Sequence, residues 1–478
     1  MKKTILWSFL FCMIQTATAF QSHAEWNYTF IPTASLGLEY DNNVYWSQSN
    51  EQSDFNYQGT ITLPVHATSP ATDLNLSYRT TRFEYFSLPE NNYGNHYITL
   101  NASHNLTQRL RLSLSDSFAS MKDSDRLLRS EDSNIASDII VEKVRNDSNS
   151  LTGSMEYSLS PKASISLSAT DSLSRYSIPT LYDSSGKQGA FTFNYILDPL
   201  NTIFTSISAN TSNYERSDLE LKQNALYSPL GYNPFSGSLS FGLFFNSEFD
   251  RSENKSAYIG WTHHFSSTLN ASLYIGTRKT EDITKNLSLV AGGGVEVPHD
   301  LPDGSLVYYT IDSIPQPFPA VALTGKLINI PGAAIKPVSE DSQKSSGLIY
   351  NLTVDKTFQG SDLSLSFDQS TNQRAAYGGT SVIRSYGAKY NHRLSARLSA
   401  FLNGRYSQNK NESDSLQDNY HTLRIGTGFS YSMTRNLSSS LSWNHTVQKR
   451  DLQGAVTPPR TERDVVALLF TYKWPLER

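Results

Sequence analysis

From about residue 27 to the C-terminus, apolar and polar residues alternate with a period of two. Phe55, Tyr57, Gly59, Ile61, Leu63, Val65 and Ala67 share one face, and Asn56, Gln58, Thr60, Thr62, Pro64 and His66 share the other. The pattern returns at Leu110-Leu112-Leu114, at Leu398-Ala400-Leu402-Gly404-Tyr406 and at Leu423-Ile425-Thr427-Phe429-Tyr431. Successive side chains of a strand point to opposite faces, whereas a helix needs apolar residues three and four apart. These segments lack helical spacing, so the chain is read as all-β.

The segments between alternating runs are sorted by length. Short polar turns lie at Ser69-Pro70, Asn105-Leu106-Thr107, Ser160-Pro161-Lys162, Asp198-Pro199, Ser266-Ser267-Thr268, Gly360-Ser361, Leu394-Ser395-Ala396 and Thr434-Arg435-Asn436. Long connections separate them, notably 41–53, 119–147, 175–187, 409–419 and 450–461. Short turns on one side and long loops on the other are the signature of an antiparallel transmembrane β-barrel, with periplasmic turns and extracellular loops. The runs have the ~9–11 residues that a tilted strand needs to cross a bilayer. Aromatic residues gather at their ends, as at Tyr40, Tyr85-Phe86, Phe249, Phe265 and Trp474, where an amphipathic ring suits a membrane interface.

Counting runs gives segments near 27–40, 54–67, 73–86, 95–105, 109–119, 148–159, 163–174, 188–197, 202–213, 255–265, 269–279, 346–357, 361–371, 380–392, 397–408, 420–433, 437–448 and 462–474. The expectation is therefore about 18 strands within a range of 16–20, with 219–228 and 237–249 as the hairpin that would raise the count to 20.

The N-terminus carries an export signal. Lys2 and Lys3 precede an apolar run from Ile5 to Ile14, and Ala17-Thr18-Ala19 gives a small-x-small cleavage pattern, with an alternative site after Ala24. Residues 1–19 are thus expected to be a signal peptide and 20–478 the barrel. Cys12, the one cysteine of the chain, lies in the signal, so no disulfide or Cys-ligated metal is expected in the mature protein. Closure of the sheet supplies stability instead, because every strand finds two neighbours.

Forty Lys+Arg against 44 Asp+Glu give a formal charge of −4, which lacks the concentrated positive face that a nucleic-acid partner requires. The ten histidines are scattered, and His263-His264, the one adjacent pair, must point to opposite faces of a strand. Gly292-Gly293-Gly294 lacks the Lys-Ser/Thr of a phosphate loop. No catalytic constellation, cofactor site or metal site is read from the sequence, and no enzymatic activity is expected.

The last strand, Val466 to Trp474, ends in alternating Phe470, Tyr472 and Trp474 and resembles the C-terminal insertion signal of bacterial outer-membrane barrels, although Pro475-Leu476-Glu477-Arg478 follows it. The opening Leu36-Gly37-Leu38-Glu39-Tyr40-Asp41-Asn42-Asn43-Val44 resembles porin-type outer-membrane barrels associated with exopolysaccharide systems, as does the phrase Leu394-Ser395-Ala396-Arg397-Leu398-Ser399. The resemblance implies a Gram-negative outer-membrane location, contact with outer-membrane lipid, recognition by the barrel-assembly machinery through the C-terminal strand, and a pore or export role.

With the apolar face set toward lipid, the candidate lumen-lining residues are Arg79, Arg109, Arg111, Arg278, Lys389, Arg405, Arg424 and Lys473, with Glu156, Asp355 and Asp368 as the acids found there. Eight cations against three acids predict a lumen that leans positive and favours anions. Pairing of these cations with acidic loops is the alternative use. Residues 281–345 hold seven of the 19 prolines and are expected to form one long loop without strands of its own, either a constriction folded into the lumen or an external cap.

The expected function is an outer-membrane porin-like channel or export conduit for anionic solutes or polysaccharide. The alternative is a non-conducting surface barrel whose long loops bind an extracellular partner.

Overall fold

The computed structural model describes residues 26–47, 50–122, 144–177, 182–216, 226–233, 238–244, 247–290, 296–300, 306–310, 334–373, 380–411, 418–452 and 460–474. One antiparallel sheet takes in Asn27–Phe30, Thr33–Asp41, Asp54–Thr68, Thr72–Tyr85, Tyr93–Asn105, Leu110–Lys122, Arg145–Ser160, Ala163–Tyr176, Tyr182–Asp198 and Asn201–Arg216. It continues through Ser247–Ser266, Leu269–Val290, Ala334–Phe358, Ser361–Gln373, Thr380–Arg393, Leu398–Asn411, Asp418–Ser432, Leu437–Leu452 and Arg460–Lys473. Asn27–Phe30 and Thr33–Asp41 both pair with Asp54–Thr68 and are one stave interrupted at Ile31-Pro32, where proline has no N–H to give to a ladder. The wall therefore has 18 staves, and it closes because Thr33–Asp41 also pairs with Arg460–Lys473.

The hairpin that would have raised the count stays out of the wall. Leu226–Asn233 and Ser238–Phe244 pair only with each other, while Ser247–Ser266 joins the barrel. The segment 281–345 also differs from the expectation of a strandless loop. The two longest staves, 22 and 25 residues, run on into it and remain paired as far as Val290 and Ala334. A register shift after Asn286 accommodates Pro337 opposite Leu287. A separate hairpin, Glu296–Asp300 with Leu306–Thr310, follows within the same segment. Proline density concealed these strands in the sequence. Residues 311–333 lie outside the described residues, and with them the question of inward or outward folding.

At the short-turn end one device recurs. Thr107 Oγ1 accepts hydrogen bonds from the backbone N–H of Arg109 and Leu110, at 3.2 and 3.0 Å. Ser160, Ser395 and Thr434 do the same for the residues two and three ahead. A hydroxyl that satisfies two turn amides lets the chain reverse in the fewest residues. The phrase Leu394 to Ser399 is thus a turn code, and Leu106-Thr107-Gln108-Arg109-Leu110 is another copy of it.

Register carries a single apolar face round the outside. One outer row runs Leu63, Tyr78, Ile98, Phe118, and another runs Trp261, Leu273, Leu352, Phe367, Tyr386, Tyr406, Leu423, Val447. Exposed residues such as Leu36 (71%), Ile207 (59%) and Ile259 (57%) make this belt far more apolar than a protein surface in water sustains. The inner face is the reverse, dominated by Ser, Thr and Asn that bond across strands: Thr60 to Thr81, Thr152 to Thr170, Thr192 to Ser206, and Ser208 to Ser256.

Candidate functional site: the inner wall and its closing seam

Inward side chains divide by height. Toward the short turns Asp73, Arg79, Arg111, Glu156, Asp355 and Lys389 are exposed. Toward the long loops Asn56, Asn95, Asn146, Ser252, Thr380 and Thr446 are almost fully buried. Part of the closure is the first long connection. Val44 turns inward and packs on Phe83 and Tyr85, with Tyr45, Leu88 and Tyr93 around them. The bulky groups filling this mouth therefore include residues 44–45, whereas the sequence pointed to 281–345 alone.

The eight candidate residues fall into distinct settings. Arg79 is inward and lies over the Tyr97 ring at 4.3 Å. Arg109 sits in the turn rather than in a stave, exposed at the lumen edge. Arg111 lies opposite Glu156 and donates to Ser103 Oγ at 3.0 Å. Arg278 is buried at 4% exposure and donates from Nη1 to Thr280 Oγ1 (3.2 Å) and Ser345 Oγ (3.4 Å). It has room because Gly347 stands opposite, where a Cβ would come 3.2 Å from Nη2. Lys473 is exposed beside Thr33 at the short-turn end. Lys389, Arg405 and Arg424 occupy three adjacent staves and form the one grouping among the eight.

The positive lean of the whole wall is narrower than eight cations against three acids. Glu39, Asp41, Asp54, Asp73, Asp282 and Asp362 share the inward face with Glu156, Asp355 and Asp368, while Arg393, Arg450 and Arg463 join the cations there by the same register. Asp41 and Asp282 lie at stave tips within segments 41–53 and 281–345, which are expected to be loops. Charge is segregated by sector instead. The inward faces of residues 163–174, 184–194, 202–214 and 252–264, on four consecutive staves, carry no Asp, Glu, Lys or Arg.

The motif Leu36 to Val44 proves to be the closing seam. Gly37 faces the last stave, where a Cβ would lie 2.4 Å from Leu468 O. Glu39 is buried and accepts from Asn56 Nδ2 at 3.2 Å. Asp41 is fully buried and receives Arg463 Nε at 3.0 and 3.1 Å and Nη2 at 2.6 Å, a two-pronged pair across the junction. Asn42 exchanges bonds with Asp464, and Asn43 Nδ2 donates to Glu462 O and Ser47 O, both at 2.8 Å. The alternation of the motif is what aims residues 37, 39, 41 and 43 inward. Its partner Arg463 carried no signal of its own in the sequence.

The histidines follow strand geometry. His263 faces out, stacked on Trp261 and bonded to Asn201 Oδ1 at 2.7 Å, while His264 faces in, bonded to Asn270 Oδ1 at 2.6 Å. Ser361 and His392 meet at 2.5 Å on the outer face near the short turns, with Tyr390 OH donating to Ser361 Oγ at 3.3 Å. Among the described residues no carboxylate completes that pair.

No family model matches the chain, and no curated protein matches it either. Among solved structures it is similar to Pseudomonas aeruginosa OccK5 (OpdH), at 7% identity over 95% of this chain and 99% of that one, with a TM-score of 0.42. Acinetobacter baumannii OccAB2 gives 9% identity over 94% and 98%, with a TM-score of 0.41. The FrpB iron transporter from Neisseria meningitidis gives 9% over 94% and 81%, with a TM-score of 0.42. Similarity at this level assigns no residue a role, and the fold rests on the strand pairing itself.

Proposed function

We propose that the chain is a passive channel or export conduit of the Gram-negative outer membrane, admitting anionic solutes or an anionic polysaccharide. The observation that carries the reading is a closed 18-stave wall that is apolar outside and polar inside, with solvent-exposed charged groups in the half of the lumen nearest the short turns. Barrels of about 16–18 strands enclose an aqueous channel. The apolar belt is then the lipid contact, the short turns are periplasmic and the long loops extracellular. Residues 1–19 act as the export signal, and the exposed Phe470, Tyr472 and Trp474 present the last stave to the assembly machinery. The preference for anions is assigned to the cationic sector at Lys389, Arg405 and Arg424, not to the wall as a whole.

Planar-bilayer conductance with measured ion selectivity tests this. Steady current with an anion preference is expected. Absence of current, even after deletion of 291–333 between the paired staves, defeats the channel. That outcome would leave the second reading, a plugged barrel that presents loops to an extracellular partner, which the packing of Val44 on Phe83 and Tyr85 in the mouth favours.

A further inference from the structure

Arg405 and Arg424 are direct cross-strand partners on the inward face, so two guanidinium groups stand side by side on adjacent staves. Like charges placed directly opposite each other destabilise a sheet. Asp368 shares their inward face, two staves from Arg405. Arg405 Nη2 donates to Ser385 Oγ at 3.0 Å, while its Nε is buried with no hydrogen-bond partner. A buried donor left without an acceptor is costly, more so when charged, so the arrangement calls for an acceptor that is not part of the wall.

The rung next toward the short turns shapes a notch beneath these cations. Lys389, Asn403, Gly426 and Asn444 follow one another across it. Gly426 forms the floor: a Cβ there would lie 2.5 Å from Asn403 Oδ1 and 2.7 Å from Asn444 Oδ1, so both amides lean over the missing side chain. At Gly387, beside Arg405, the missing side chain makes room for Ser366 Oγ, which would lie 2.5 Å from a Cβ there. Ser407 and Thr422, one rung outward, are buried, whereas Lys389 is exposed. The notch therefore opens toward the periplasmic half of the lumen and is roofed on its outer side.

We propose that this notch is a binding station for a carboxylated sugar, in which Arg405 and Arg424 hold the carboxylate and Asn403 and Asn444 bond the neighbouring hydroxyls. Guanidinium groups suit carboxylates because their fork matches two oxygens at once, and amides both give and accept, as a sugar hydroxyl does. Lys389 draws the anion toward the station from below. Across the lumen, the inward faces of Arg145–Ser160 and Ala163–Tyr176 offer Ser148, Ser150, Thr152, Ser154, Ser166 and Ser168, neutral hydroxyls that can exchange bonds with the rest of a saccharide without holding it by charge. The station rests on the channel reading for its route, but binding itself does not require conduction.

The test is calorimetric titration of the full-length barrel in detergent with sodium glucuronate and with glucose, alongside glucuronate block of single-channel current. Wild type is expected to bind glucuronate at millimolar concentration in preference to glucose. Arg405→Gln/Arg424→Gln is expected to lose at least tenfold in affinity and in block, while keeping the gel mobility shift of a folded barrel. The single variant Arg424→Gln, which removes the like-charge contact, covers failure of the double variant to fold. Equal titration of wild type and variants, or glucose binding as well as glucuronate, overturns the proposal. A barrel that binds glucuronate through these arginines yet carries no current refutes the channel and leaves the station standing. A conducting barrel whose block is indifferent to them refutes the station alone.

Discussion

Removing either member of the Asp41–Arg463 pair leaves a charge buried against the closing seam. The pair comprises three donor–acceptor contacts of 2.6–3.1 Å between side chains 0% and 3% exposed. Breaking a buried pair from one side costs about 3–5 kcal/mol. Arg463→Ala is placed at roughly 3–4 kcal/mol on that scale. Asp41→Ala falls near the top, at roughly 4–5 kcal/mol, because Asp41 Oδ1 also accepts from Asn43 N at 3.0 Å. The double alanine variant removes both charges, so it should cost no more than the worse single variant, a coupling of about 3 kcal/mol. Urea unfolding of the barrel in phospholipid vesicles, followed by tryptophan emission, gives all four corners of the cycle. Single variants that each cost less than about 1 kcal/mol, or effects that simply add, would refute the reasoning, because that is how a solvent-exposed ion pair behaves. An apolar replacement of the pair, Asp41→Leu with Arg463→Met, should recover most of the loss.

Four further outcomes follow from particular contacts. Gly276→Ala places a methyl 2.2 Å from Ala257 O and should destabilise the wall by about 1–3 kcal/mol in the same unfolding assay. Gly426→Ala fills the notch where the Asn403 and Asn444 amides meet, so glucuronate affinity should fall with little change in urea midpoint, the amides being able to swing aside. Val44→Asp withdraws the residue packed on Phe83 and Tyr85, and single-channel conductance should rise; an unchanged conductance would show that this contact does not narrow the mouth. At the turn, hydrogen bonding by Asn201, then by the Leu200 amide, holds the Asp198 carboxyl below the usual carboxylate range. Its contribution to the turn is present above the ordinary carboxylate pKa and is lost as pH falls through the lowered value; Asn201→Ala should move that titration upward in a carbon-detected NMR series.

Much of the wall was legible because strand period, turn hydroxyls and loop length all repeat. Each of the 18 alternating runs coincides with a stave to within a few residues, except where staves outgrow the membrane belt, as at 269–290 and 334–358. What failed to read did so for physical reasons. Pairing through Pro337 needs a register shift that no local pattern announces. The inward acid at 41 sits where the opening motif passes into an expected loop, and only its partner, 422 residues away at Arg463, reveals it as buried rather than loop-borne. Alternation placed Arg405 and Arg424 on the inner face, but it could not tell that strand register would set them shoulder to shoulder while scattering Arg79, Arg111 and Lys473.

Every other junction between neighbouring staves is tied by its own connecting segment, which limits how far one strand can slide along the next. The junction of Thr33–Asp41 with Arg460–Lys473 has no such tether, since it joins the two ends of the chain. A slip of one residue there would swing Asp41 into the hydrocarbon, and a slip of two would part it from Arg463. The carboxylate and guanidinium thus do by chemistry what a hairpin does by connectivity: they index the last strand against the first.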